Sequence, residues 1–125
     1  MKFTTVIATK GIDLNGERFD NLEQLAETAI GKPIHGTFGG VQVGTAEQAT
    51  IDGDNVVISG RFEELTGEIL FKLGLMYIVP GGIMHGSHHE GNVRVFDDFE
   101  IREFSLTSTP ADPHLKPIEF VDSND

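Results

Sequence analysis

The chain has 125 residues, 38% of them hydrophobic, which is enough for one domain built on a single core. It contains no cysteine, which excludes a disulfide framework, a thiolate nucleophile and a cysteine-based metal site, and fits a reducing compartment. The formal net charge of −11, with no basic cluster to offset it, argues against nucleic-acid binding, because phosphate backbones are held by Lys and Arg.

No apolar run approaches the ~20 residues of a membrane-spanning helix. Met1–Ala8 reads as an opening strand rather than a leader, with Phe3, Thr5 and Ile7 on one parity. Lys10–Glu17 is turn-rich, and Asn15-Gly16 is a site for positive φ. A helix is predicted over Asn21–Ile30, where Leu22, Leu25, Ala26, Ala29 and Ile30 form one apolar face. Asp20 is its predicted cap with Glu23 three residues on, and Gly31 and Pro33 end it. Pro33–Gly40, with three glycines, reads as a loop. Strands follow at Val41–Ala46 and Val56–Phe62, joined by a hairpin turn at Asp52–Asn55. A second helix is expected at about Leu65–Leu73, with Leu65, Ile69, Leu70 and Leu73 inward and Gly74 as its stop.

Leu75–Gly82 is an apolar run broken by a turn, Ile83–His89 a strand entering a loop, and Glu90-Gly91-Asn92 a turn. Val93, Val95 and Phe99 lead into the longest strand pattern, Asp97–Pro113. Phe99 and Ile101 share one parity, whereas Phe104 and Leu106 share the other. A period of two cannot change sides without an extra residue, so a bulge is expected near Arg102–Glu103. Pro110 and Pro113 end the strand. Residues 114–125 form an acidic tail whose Leu115, Ile118, Phe120 and Val121 point to docking on a surface, its own or a neighbour's. The expected fold is α+β: one domain over residues 1–113, a mainly antiparallel, partly closed β-barrel of about six strands with two helices.

His35 alone is a weak signal, since a lone histidine is more often an ordinary loop residue. His85, His88 and His89, with Glu90 adjacent, are candidate zinc ligands by type. Neighbours along a strand point to opposite faces, however, so a pH-sensitive contact is the plainer reading and no metal is assigned. Gly39-Gly40 and Gly81-Gly82 lack the residues that complete a phosphate loop, and no cofactor is assigned.

Glu103-Phe104-Ser105-Leu106 followed by Pro110-Ala111-Asp112-Pro113 resembles the closing strand of the tailed-phage prohead proteases, distant relatives of the herpesvirus assemblins. That family has an acidic residue, an apolar-Ser-apolar run and then Pro-Ala-Asn/Asp-Pro. The resemblance runs from Gly11-Ile12-Asp13 to Pro113 and implies the family's β-barrel core. Gly31-Lys32-Pro33-Ile34-His35 is similar to the segment holding the family's catalytic histidine, which implies that His35 corresponds to the general base. Histidine suits that role because its unperturbed pKa lies near neutrality. Glu103 corresponds to the acid that would orient it. The family nucleophile sits in a strand of the form Gly-apolar-Ser-apolar-Gly. Gly82-Ile83-Met84-His85-Gly86 matches that form and places Met84 at the serine. A thioether forms no acyl-enzyme. Register over Val79-Pro80-Gly81 supplies no serine either, and Ser87 is the nearest hydroxyl.

The resemblance therefore implies a non-catalytic structural virion protein, a capsid decoration, cement or assembly protein. Its partners would be the major capsid protein and copies of itself, with no nucleic acid and no membrane. Its place would be the virion capsid, and the host cytoplasm during assembly. Residues Leu115–Val121 and the first strand are the expected contact elements. The alternative is an active maturation serine protease, cleaving capsid and scaffold proteins with His35, Ser87 and Glu103.

Overall fold

In the computed structural model the described residues are 1–36, 40–63 and 66–121, with the side chains of 66–68 outside the description. The elements are β1 (Lys2–Thr9), β2 (Glu17–Phe19), α1 (Leu22–Ala29), β3 (Pro33–His35), β4 (Gln42–Asp52), β5 (Asn55–Phe62), α2 (Thr66–Lys72), β6 (Tyr77–Glu90), β7 (Val93–Thr107) and β8 (Glu119–Val121). The fold is α+β, as expected, with one mixed sheet of eight strands. Along the main path the order is β2-β7-β3-β4-β5-β1-β8, and β6 pairs β7 from the other side.

The barrel expectation is corrected: the path of paired strands is open. Its two end strands, β2 and β8, have three residues each and pair on one side only. The sheet is also less purely antiparallel than expected, because β2 and β3 both run parallel to β7.

β7 carries the architecture. β6 follows it along one edge, while β2 and then β3 occupy the other. The predicted bulge lies where the apolar parity switches: Gly81 pairs with Glu103 and Gly82 with Ile101, leaving Arg102 as the extra residue. That one residue lets Ile101 and Phe104 both reach the core. Gly82 is required there, since a Cβ would collide with the carbonyl oxygen of Glu100. β6 runs through Pro80-Gly81-Gly82 as one strand of 14 residues, so the break expected there is a bend within a continuous strand. Its two-residue connection to β7 turns at Gly91, with φ 63°.

Between β2 and β3 the free edge of β7 is satisfied by α1. Phe99 N donates to Gln24 Oε1 at 2.9 Å and Ile101 N to Thr28 Oγ1 at 3.0 Å. Two side chains one helical turn apart thus continue the strand's hydrogen bonding. The opposite face of α1 buries Leu22, Leu25, Ala26 and Ala29. Asn21, not Asp20, caps the helix: its Oδ1 accepts from Gln24 N at 3.2 Å. Gly31, with φ 80°, turns the chain out of the helix into β3.

The core joins Phe3, Ile7, Leu25, Ile34, Ile58, Ile78, Ile101 and Phe104. α2 contributes less than expected. Leu70 and Phe71 pack on the core, whereas Ile69 and Leu73 are exposed, and Leu65 lies outside the described residues. The segment after Pro113 docks on its own sheet: Leu115 and Ile118 are buried, Ile118 N donates to Met76 O at 2.7 Å, and β8 pairs with β1. Phe120 meets Phe62 and Phe71 there.

Candidate functional site

The site grows from alternation on two strands. Ile34 pairs with Phe104, and both enter the core. The next pair, His35 and Ser105, therefore lies on the opposite face of the sheet. Glu103, two residues before Ser105 on β7, shares that face. So His35 belongs to a strand, not to the glycine loop read from the sequence.

His35 Nδ1 stands 3.7 Å from Glu103 Oε1. That separation is ion-pair range and longer than a hydrogen bond. Two polar atoms in this row are buried without a hydrogen-bond partner, His35 Nδ1 and Ser105 Oγ. Ser105 is 1% exposed. Its position beside His35 depends on the register of β3 against β7, and no local pattern in the sequence carries that register.

On the other flank of β7, Val79 pairs with Ser105 and Gly81 with Glu103. The row across three strands is thus His35, Ser105, Val79. Met84 is elsewhere: it pairs with Phe99. Ser87 is farther still, opposite Phe96, with Arg94 Nε donating to its Oγ at 3.4 Å. Phe96 and Ser105 are separated by about 30 Å of strand at ~3.3 Å per residue. The structure brings His35 and Glu103 together and leaves Ser87 apart. An acid and a base meet, and the β6 residue that faces them carries no hydroxyl.

Three further histidines decorate the outer half of β6. His85 Nε2 lies 3.0 Å from Glu100 Oε1, and His89 pairs with Arg94 in the ladder. His88 has a carboxylate on each ring nitrogen: Asp97 Oδ2 on Nδ1 and Glu90 Oε2 on Nε2, both at 2.8 Å. Asp97 and then Glu90 hold the His88 pKa above the ordinary histidine value. His88 and then Arg18 hold the Glu90 carboxyl below its ordinary value, and His85 does the same for Glu100. Among the described residues no three His, Asp or Glu side chains converge as metal ligands.

Compared with protein-family models, with curated proteins and with solved structures, the chain finds no match.

Proposed function

We propose that this chain is a non-catalytic relative of the prohead proteases, serving as a structural protein of a tailed-phage capsid. In this reading it decorates the shell or assists its assembly, through contacts with the major capsid protein and with copies of itself. The resemblance of Glu103–Pro113 supplies the family. The observation that supports loss of catalysis is the row His35–Ser105–Val79: its β6 member is a valine, and the one hydroxyl in the row, Ser105, is 1% exposed and closed off from a substrate. A valine methyl can neither lose a proton nor attack a carbonyl.

The test is labelling of purified protein by a fluorophosphonate, which reacts only with an activated serine, followed by peptide mapping. Wild type and M84S stay unlabelled. V79S gains a label that H35A, added to it, removes. Label on wild-type chain that S87A abolishes would overturn this reading in favour of an active maturation protease. For the structural role, mass spectrometry of mature particles should find intact chain in fixed ratio to the shell protein. Absence from the particle would exclude decoration.

The proximity of His35 and Glu103 is the one observation that favours the protease reading. It supplies an acid–base pair but no attacking atom on β6.

A further inference from the structure

A cavity of about 220 Å3 opens between β1, β2, the β6–β7 ribbon, which it meets at Val79 and Pro80, and the segment after β7. Its walls include Phe19, Phe96 and Phe99. These rings touch one another, with centroids 5.5, 5.3 and 6.0 Å apart, yet each remains half-buried. Most drug-sized ligands need ~300 Å3 or more, so this space suits a single side chain.

The rim is acidic: Asp13, Glu17 and Asp112 line it. Two of these carboxylates already have a side-chain nitrogen beside them. Asp112 Oδ1 lies 2.9 Å from His114 Nδ1, and Glu17 Oε2 lies 3.9 Å from Arg94 Nη1. Asp13 differs. Its Oδ1 accepts from Asn15 N at 2.8 Å and from Glu17 N at 2.9 Å. Among the described residues no cationic side chain lies within 4 Å of it. The protein itself displays the matching chemistry at one corner, where the Arg94 guanidinium stands 5.4 Å over the Phe96 ring while facing Glu17.

We propose that this cavity accepts the lysine side chain of a partner protein, its aliphatic stem against the phenylalanines and its ammonium on the free oxygen of Asp13. The inference does not depend on the capsid reading. Lysine fits better than arginine because a guanidinium wants two parallel acceptors, and the turn has already taken Oδ1. An ammonium is a point charge that one oxygen and ring faces can hold. The chain's charge of −11 draws basic segments toward it.

The test is an NMR titration of the full chain with Nα-acetyl-lysine methylamide, read at the Asp13–Phe19 amides and the phenylalanine rings. Binding in the millimolar range is expected for one isolated side chain. The uncharged norleucine analogue should bind at least about tenfold more weakly, because it leaves the carboxylate unpaired. Asp13→Asn keeps the Oδ1 acceptor of the turn and should weaken the lysine analogue at least about fivefold. If that variant fails to fold, Phe99→Leu gives the same comparison through the ring wall. Equal binding of norleucine, tighter binding of the arginine analogue, or no shift with any probe would each overturn the proposal.

Discussion

The two halves of the β6–β7 ribbon are made by the same pair of strands and held by different physics. In the inner half, Ile78, Phe104, Ser105 and Leu106 are buried, β3 pairs on the far edge, and the core lies beneath. In the outer half, Ile83, His85, Ser87, His88 and His89 are exposed, and cross-strand contacts between histidines and carboxylates take over. Burial of a large apolar side chain contributes several times what an exposed ion pair does. The candidate site sits in the half that cannot move cheaply, and the titrating groups sit in the half that can.

The sharpest way to break this contrast is to truncate one large apolar side chain in each half. Phe104→Ala, at a residue 0% exposed, should cost ~3–5 kcal/mol in denaturant unfolding. Ile83→Ala, at 44% exposure, should stay within ~0.5 kcal/mol. Similar costs at both positions would erase the distinction.

A smaller effect tests how β7 crosses from one half to the other. Thr28→Val preserves the volume of the side chain and removes the acceptor of Ile101 N. An unpaired donor beside a fully buried residue should cost ~1–3 kcal/mol, again read by denaturant unfolding. A neutral Thr28→Val would mean that water satisfies the edge and that α1 is only a cover.

Thr28 and Gln24 also mark where reading the sequence stopped. Nothing local in the sequence announces a strand edge waiting beside them. The bulge at Arg102 was legible, since a change of apolar parity has only that solution. The helix α1 and the turn at Asn15-Gly16 were legible for equally local reasons. Strands β2, β3 and β8 were not: three residues are too few to display a period. The register of β6 against β7 was illegible for a related reason. β6 carries glycines at 81, 82 and 86 and shifts register beside each of them, so its side chains hardly specify which face is which. The meeting of His35 with Glu103 came from the family resemblance, not from any spacing in the chain.

The smallest expected effect lies in the outer half, and its sign is fixed by His88. A neutral imidazole has one N–H, so it can satisfy only one of the two carboxylates at 2.8 Å; the imidazolium satisfies both. Asp97 first and Glu90 second raise its pKa. A raised histidine stabilises fully below the unfolded value of about 6.5, and that contribution is lost as pH rises through the folded value. Glu90 and Glu100 are lowered, so their contributions are present above the ordinary carboxylate value and lost as pH falls. The ribbon tip is therefore held best between about pH 4.5 and 6.5. These groups are solvent-exposed, and salt screens them. The global melting temperature should then stay nearly flat across that window, because the inner half sets it. The tip should respond alone: an NMR titration should place His88 above its ordinary value, Asp97→Asn should lower it more than Glu90→Gln, and added salt should lower it further in wild type. A His88 titrating at or below about 6.5 would mean that its two carboxylates are solvated neighbours rather than partners.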